Sequence, residues 1–482
     1  MTDEGNPNMT CIQKCITNFF DLPACSVLTA GEDRGSSIWS KLSSDQLLSP
    51  GQFLTLKRLV DLLVTCVALI CSALSSIAQF LGLGVFGLIL IVVIVVCIYK
   101  KVYVPFNYIQ DLDLPGKAAQ RKDMVNLTRS LRKIGQKLPP AYPNGWYGVV
   151  ESSELKDGEV KEIHAFGESL AVFRGEGGTV HALDAHCPHL GANMAAGGSV
   201  RGDCLECPFH RWRFSGPSGK CVAIPGVDSV PKSAAVRAWE SRELDGMVFV
   251  WFHCEQLEPE WELPSVPEIA SGEWRYMARN DFLVPCHLQD IPENGADVAH
   301  LNALHGDHLI AGKSLPTSDS YNVFGRHVWS GQWAASEIPH IASVELKHDI
   351  RFLGKLSMVD VDVTATQVGP SYVQMSIRHR LGQVMILQTV TPLTPLVQRV
   401  THRLYAPWYV KPLANVIMWA ETVMFHRDVM VWTSKQFVSN PLLVKTDRCL
   451  KAYRNWFKQF YTKNSTPFEE ALRNITSPSF EW

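Results

Sequence analysis

Four residues with metal-binding side chains stand in two short, similar motifs near the middle of this 482-residue chain. The first motif, C-x-H, holds Cys187 and His189, and the second, C-x-x-H, holds Cys207 and His210. Two cysteine thiolates can bind one iron of a [2Fe-2S] cluster while two histidine imidazoles bind the other iron. The spacing therefore predicts such a cluster, with one Cys-His pair on each of two facing loops.

The alternative for these four residues is a structural zinc site, because two cysteines and two histidines also complete a tetrahedral zinc site. Zinc sites usually present the cysteines as one pair and the histidines as another, whereas each loop here offers one of each. The arrangement favours the iron-sulfur cluster. Cys204 and Cys221 lie nearby without a ligand pattern and are interpreted as ordinary thiols.

A second group of candidate ligands follows in the C-terminal half of the chain, where Asp297, His300 and His305 form the pattern D-x-x-H-x-x-x-x-H. A 2-His-1-carboxylate site binds Fe(II) on one face and leaves the other face open for O₂ and substrate. His300 and His305 are the predicted imidazole ligands. His308 is the histidine that could substitute for one of them.

The carboxylate ligand is sought on the long helical pattern of residues 413–437. Asp428 lies there at helical spacing from apolar and aromatic residues, including Trp432. A buried carboxylate in such surroundings is costly unless a cation compensates it, so iron ligation gives Asp428 a physical reason. Glu421, seven residues earlier on the same face, is the runner-up; the alternative without a metal is a surface or salt-bridged Asp428.

Two groups of β-like runs must position these residues. Runs separated by Gly, Asp and Pro predict a small antiparallel β domain around the cluster motifs, with strands at 146–150, 170–174 and 248–252. Alternating apolar and polar residues predict consecutive antiparallel strands at 343–350, 358–366, 372–379, 384–391 and 399–405. A curved sheet of these strands, closed by the 413–437 helix, would enclose a cavity.

An apolar stretch precedes both domains. Residues 80–98 carry no charge and are long enough to cross a hydrocarbon core, so one transmembrane helix is predicted over about 80–99, with a first span at 59–78 as the alternative. Lys100 and Lys101 follow at once, and by the positive-inside rule they place the C-terminal part in the cytosol. Residues 1–50 are too polar for a cleaved signal peptide.

The chain is therefore predicted to be an α+β protein with five segments. These are a polar N-terminus (1–56), a membrane anchor (57–101), a juxtamembrane linker (102–141), an all-β [2Fe-2S] domain (142–255) and a mononuclear iron catalytic domain (256–482).

The sequence gives no sign of nucleic-acid or dinucleotide binding. The 45 Lys and Arg residues nearly balance the 47 Asp and Glu residues, so the chain has no net positive potential that would attract nucleic acid. A G-x-G-x-x-G match at 82–87 lacks the strand-to-helix context of a dinucleotide site, so no NAD or FAD site is predicted.

On these motifs the chain resembles the Rieske-type non-haem iron oxygenases. Rieske subunits of respiratory complexes carry a further cysteine in each loop, where this chain has Ala192 and Phe209, so their disulfide is not expected. Within the oxygenases, the chain resembles the Neverland-type cholesterol 7-desaturases. This resemblance is carried by Asn144-Gly-Trp-Tyr, the two cluster loops, the segment 293–305 and the C-terminal Ser-Pro-Ser-Phe-Glu-Trp.

The resemblance implies a helix-grip catalytic domain and the O₂- and NAD(P)H-dependent conversion of cholesterol or a similar sterol to its 7-dehydro product. Such a step leads to ecdysteroids and other steroid hormones of the dafachronic acid type. Each subunit would hold one [2Fe-2S] cluster and one Fe(II), and a ferredoxin with its reductase, or an equivalent, would supply electrons. A homotrimer in the endoplasmic reticulum membrane is implied, in which Asp297 links His300 of one subunit to His210 of the next.

Two other functions are kept as alternatives. The chain could be a Rieske oxygenase that hydroxylates another steroid or apolar substrate, in which case its product would differ. It could also be a membrane-bound Rieske electron carrier without oxygen chemistry. The carrier predicts that mononuclear iron is absent and that His300 and His305 can be replaced without loss of function.

Overall fold

The computed structural model describes residues 85–110, 138–306, 315, 325–352 and 356–476. The predicted N-terminal segment (1–56), the alternative first span (59–78), most of the linker and His308 lie outside these residues. The described part of the predicted anchor is helix α1, Val85–Tyr103, whose apolar side chains from Ile89 to Ile98 are largely exposed. Within the described ranges, no helix is long and apolar enough to cross a membrane.

From Tyr99 onward, the described residues form one compact unit. Its strands are β1 Asn107–Gln110, β2 Gly145–Glu151, β3 Val160–Ala165, β4 Glu168–Arg174, β5 Val180–Asp184, β6 Ser199–Arg201, β7 Cys204–Glu206, β8 Arg213–Ser215, β9 Cys221–Ala223, β10 Ala238–Trp239, β11 Ser241–Leu244, β12 Met247–Phe252, β13 Arg275–Val284, β14 Arg326–Ala335, β15 Ile341–Phe352, β16 Leu356–Val368, β17 Tyr372–His379, β18 Gly382–Thr394 and β19 Val397–Ala406. Its further helices are α2 Pro267–Ala270, α3 Asp290–Glu293, α4 Val298–Leu304, α5 Lys411–Ser434, α6 Arg448–Phe457 and α7 Phe468–Thr476.

The part of the unit that carries the cluster motifs is all β, as predicted. Three small sheets have the strand orders β10-β5-β4-β3, β11-β12-β2 and β6-β7-β8-β9. The predicted runs at 146–150, 170–174 and 248–252 are strands β2, β4 and β12. Phe173, Leu205 and Phe214 are completely buried beneath the cluster loops, and these side chains form the core that holds the two loops together.

An eight-stranded sheet and helix α5 form the predicted sheet-plus-helix domain. The strand order is β1-β13-β19-β18-β17-β16-β15-β14, antiparallel except for the parallel edge pair β1 and β13. The five predicted strands are β15 to β19, and the predicted helix 413–437 is α5. A proline in the first turn of α5 suits the helix start, because the proline lacks an N–H that would have no partner there.

Strands β13 and β14 were not predicted from the sequence. In β13 the usual apolar alternation is interrupted by charged residues, which the tertiary structure neutralises. Arg279 contacts Glu151 at 2.6 Å and Asp281 contacts Arg399 at 2.6 Å, and three of these four side chains are buried. Buried charges are tolerated when they are paired, so these pairs permit a central strand that local sequence does not favour.

The cluster domain and the sheet domain pack directly on each other through β2. The Thr391 hydroxyl donates to the Gly148 carbonyl at 2.6 Å, and the Ser371 hydroxyl donates to the Trp146 carbonyl. A Cβ atom at Gly148 would lie 2.7 Å from the Thr389 methyl carbon, so only glycine allows this close approach. The domain boundaries near residues 142 and 256 stay predictions.

Candidate functional site

The two predicted cluster loops, β5–β6 and β7–β8, share one backbone arrangement. In each loop two backbone hydrogen bonds of 2.8–3.0 Å involve the cysteine. The cysteine N–H donates to the carbonyl of the residue five positions later, and the N–H of the residue four positions later donates to the cysteine carbonyl. That fourth residue is Gly191 after Cys187 and Arg211 after Cys207, with φ of 74° and 57°. The motifs therefore form two equivalent tight turns, and Arg211 adopts a conformation that usually favours glycine.

The cysteines and histidines of these loops occupy different depths. Cys187 and Cys207 are buried, whereas His189 and His210 are exposed, with their ring centroids 4.7 Å apart. Trp212 stacks on His189 at a centroid distance of 4.5 Å and fixes that ring. The two candidate cysteine ligands thus lie inside the domain and the two candidate histidine ligands at its surface.

These four side chains fit a [2Fe-2S] cluster. Burial raises the pKa of the Cys187 thiol to about 11, and the neighbouring Cys207 adds to the shift. Two buried thiolates in contact therefore need a compensating cation, which the iron of a cluster supplies. Neutral imidazoles at the exposed edge complete the ligand set typical of a Rieske centre.

The second predicted group surrounds the short helix α4. Asp297 caps the start of this helix, where its carboxylate accepts the His300 backbone N–H at 3.2 Å. The Asp297 backbone carbonyl is paired with His300 Nδ1, which leaves Nε2 of that ring for another partner. His305 is the residue at which α4 ends, and it is buried.

The structure brings His300, His305 and Asp428 together, as predicted. Their potential ligand atoms all lie within 4.8 Å of one another. Asp428 Oδ1 is 3.2 Å from His305 Nε2 and 3.8 Å from His300 Nε2. About 17% of the His300 side chain and 11% of the Asp428 side chain remain accessible, compared with 2% of the His305 side chain.

The chemistry of this group fits a divalent iron. Asp428 Oδ1 and His305 Nδ1 are buried and have no hydrogen-bond partner among the described residues. Burial holds the pKa of His300 below its ordinary value, so the ring stays neutral and keeps a lone pair for a metal. Two imidazoles and one carboxylate whose potential ligand atoms lie this close together match the donor set of a 2-His-1-carboxylate site.

Glu421, the runner-up ligand, lies in a different set of contacts. It is paired with Asn280 of β13, and its carboxylate is 3.4 Å from His402 Nδ1 of β19. Burial raises the pKa of Glu421 to about 8, and the charge of Asp428 contributes to the shift. Glu421 is therefore not one of the three residues that the structure brings together.

Two residues that the sequence did not single out hold α4 in place. Asn302 pairs with the backbone of Trp329 through two hydrogen bonds of 2.8 and 2.9 Å, as a strand neighbour would. Arg427, fully buried, donates to the Leu304 carbonyl at the end of α4 at 3.2 Å. The position of Arg427 next to Asp428 was a sequence signal, because an arginine in a buried helix needs a polar partner.

Comparison with known proteins gives matches to both domains. Residues 145–234 match the family model of the Rieske [2Fe-2S] domain, which confirms the predicted cluster. Residues 250–461 match the model described as 3-Ketosteroid 9alpha-hydroxylase C-terminal domain. A solved structure, dicamba monooxygenase bound to dicamba, has the same fold, with a TM-score of 0.52 at 16% identity over 66% of this chain and 97% of that chain.

Relatives of higher identity cover most of the chain. The cholesterol 7-desaturase nvd of Bombyx mori is 43% identical and aligns with 78% of this chain and 83% of that protein. The cholesterol 7-desaturase nvd of Drosophila melanogaster is 40% identical, and the alignment covers 78% of this chain and 90% of that protein. The cholesterol 7-desaturase of Caenorhabditis elegans is 38% identical, and the alignment covers 76% of this chain and 88% of that protein. With these relatives and both matched domains, the chain belongs to the cholesterol 7-desaturase family of Rieske-type iron oxygenases.

Proposed function

We propose that this chain removes two hydrogens from C7 and C8 of cholesterol, or of a close sterol, and so forms the 7-dehydrosterol. The observation that carries the proposal is the group of His300, His305 and Asp428. The same chain has a Rieske domain, and its relatives are cholesterol 7-desaturases. The group also argues against a mere electron carrier, which has no need of a second metal site.

We assign the metal ligands as follows. Cys187, Cys207, His189 and His210 would hold the [2Fe-2S] cluster, and His300, His305 and Asp428 would hold the mononuclear iron. When bound, the cluster supplies electrons and the iron activates O₂ for removal of hydrogen from a C–H bond.

The remaining contributions come from the protein. The backbone carbonyl of Asp297 sets the tautomer of His300, so that Nε2 presents its lone pair to the group. Arg427 ties helix α5, which carries Asp428, to the end of α4 and so fixes the carboxylate relative to His305. His300 and Asp428 remain partly accessible, whereas His305 is buried.

We propose further that residues 80–99 anchor the chain in the membrane of the endoplasmic reticulum, with the catalytic part in the cytosol. The absence of charge in 80–98 and the exposed apolar side chains of α1 support an anchor. A ferredoxin and its reductase, or an equivalent, would deliver electrons from NAD(P)H. The exposed edges of His189 and His210 suit a homotrimer in which the cluster of one subunit faces another copy, with Asp297 as the link.

The test is sterol analysis by mass spectrometry in cells that express the chain and receive labelled cholesterol. The expected product is two mass units lighter than cholesterol and is absent with His305→Ala. A product sixteen units heavier would instead establish a hydroxylase, in keeping with the matched 3-ketosteroid 9alpha-hydroxylase domain. Turnover that persists in His305→Ala would contradict the assignment of the iron site.

A further inference from the structure

A patch of large apolar and aromatic side chains is exposed on the catalytic domain. Its members are Leu381 (67% exposed), Trp408 (74%), Tyr409 (59%), Val416 (57%) and Trp419 (40%). Tryptophan is rarely left so open to water, and contiguous exposed apolar surface usually marks an interaction site. These five residues are called the aromatic patch below.

The five residues come from two parts of the sequence, and these two parts meet at Gly382. Leu381 lies in the turn between β17 and β18, and its neighbour Gly382 packs so closely that an added Cβ would lie 2.7 Å from Val410 and 3.6 Å from Tyr409. Tyr409 stands in the turn that leads into α5, and Val416 and Trp419, three residues apart, lie on one face of that helix.

The polypeptide that follows the apolar segment is fixed next to this patch. Helix α1 ends at Tyr103, and Asn415 of α5 then donates to the Val104 carbonyl at 2.8 Å and accepts the Phe106 N–H at 3.1 Å. Asn415 precedes Val416 of the aromatic patch directly. The chain therefore passes from its most apolar stretch to the edge of the patch within a few residues.

Two arginines, Arg378 and Arg380, are exposed beside Leu381, and the exposed Asp362 lies opposite Arg378 in the β16–β17 ladder. Exposed tryptophan and tyrosine prefer the headgroup level of a bilayer, and arginine can bind lipid phosphates there.

We propose that the aromatic patch rests in the interfacial layer of a lipid bilayer, as a membrane contact of the catalytic domain separate from the apolar anchor. The inference rests on the proposed membrane location but not on the sterol reaction. Asp428 lies nine residues beyond Trp419 on α5, about 14 Å along the helix axis and about two and a half turns away, so the two side chains stand on opposite faces of the helix.

The experiment uses the full chain in vesicles of phosphatidylcholine and phosphatidylserine whose acyl chains carry bromine, which quenches tryptophan fluorescence at short range. The chain has 14 tryptophans but none between Trp39 and Trp146, so the apolar segment itself gives no signal. Wild-type fluorescence should be quenched by shallow bromines. The double variant Trp408→Phe with Trp419→Phe should lose most of this quenching.

Two matched controls make the result specific. Trp39→Phe removes the tryptophan that precedes the apolar segment, and Trp456→Phe removes a half-buried one on α6; both should be quenched as the wild type is. Quenching that survives in the double variant, or that disappears with Trp39→Phe, would overturn the inference even if the protein floats with the vesicles. A protein that does not float would overturn both the anchor and the patch.

A second copy of the chain is the main competing occupant. Sedimentation in detergent of Trp408→Glu, with Leu257→Glu as the control at another exposed leucine, decides between the two. We expect an unchanged oligomeric state and an intact cluster absorbance in both variants, with weaker vesicle quenching only in Trp408→Glu. Dissociation of Trp408→Glu into smaller species would show that the patch is a subunit interface and not a membrane contact.

Discussion

Replacement of Asp428 by asparagine should have opposite effects on the iron-free and the iron-loaded protein. Asp428 Oδ1 is buried without a hydrogen bond and lies 3.2 Å from His305 Nε2. A buried polar atom without a partner costs about 1–3 kcal/mol, and more when it is charged. The Asn amide is neutral and can donate to His305, so Asp428→Asn should raise the free energy of unfolding of the iron-free protein by about 2 kcal/mol.

The same change should remove most iron affinity, because the group loses its only anionic donor. Loss of even an outer partner of a metal ligand lowers affinity by about 10- to 100-fold, so loss of the ligand itself should exceed that range. Iron would then no longer stabilise the variant, whereas it should stabilise the wild type by mass action.

The assay combines calorimetry, iron analysis and cluster absorbance on protein stripped of mononuclear iron by a chelator. An increase of about 2 kcal/mol corresponds to a rise in Tm of about 4–8 °C for a domain of about 150–250 residues. Glu421→Gln is the matched control for iron retention, since it removes a carboxylate on the same face of α5 and should keep the iron. If Asp428→Asn lowers the Tm of the iron-free protein or retains iron at wild-type affinity, Asp428 is a structural residue and the assignment is wrong.

Two further predictions concern the other candidate residues. Cys207→Ala should abolish the electron paramagnetic resonance signal of the reduced cluster, while His305→Ala should keep that signal and abolish turnover; loss of the signal in both would mean that these substitutions affect folding and not ligation. Glu421 should make the stability of the iron-free protein depend on pH. Burial raises the pKa of Glu421 in the folded protein to about 8, whereas a glutamate in the unfolded chain has a pKa near ~4.3. The protonated side chain therefore contributes its full stabilisation below about pH 4, and this stabilisation is lost as the pH rises to about 8. The stability of Glu421→Gln relative to the wild type should therefore increase from pH 5 to pH 8, by an amount on the order of 3 kcal/mol in the free energy of unfolding, and the difference in Tm should grow with it. A constant difference over that range would contradict a buried, protonated Glu421.

The sequence determined the parts of this protein that depend on local pattern. The spacing of Cys187, His189, Cys207 and His210 predicted the cluster, because ligands for one metal unit must stand on loops of limited length. Alternating residues predicted β15 to β19 close to their observed bounds, since one face of that sheet is buried. The pair of His300 and His305 was equally visible, because both belong to one short helix and its end.

Tertiary structure decided what local pattern could not. Asp428 and Glu421 are two helical turns apart on one face, so periodicity alone could not choose between them. In the fold, Arg427 ties α5 to α4 and Asp428 lies beside His305, while strands β13 and β19 engage Glu421 through Asn280 and His402; these contacts support Asp428 as the proposed ligand. Strand β13 was itself missed, because its charged residues become favourable only when distant parts of the chain supply their partners.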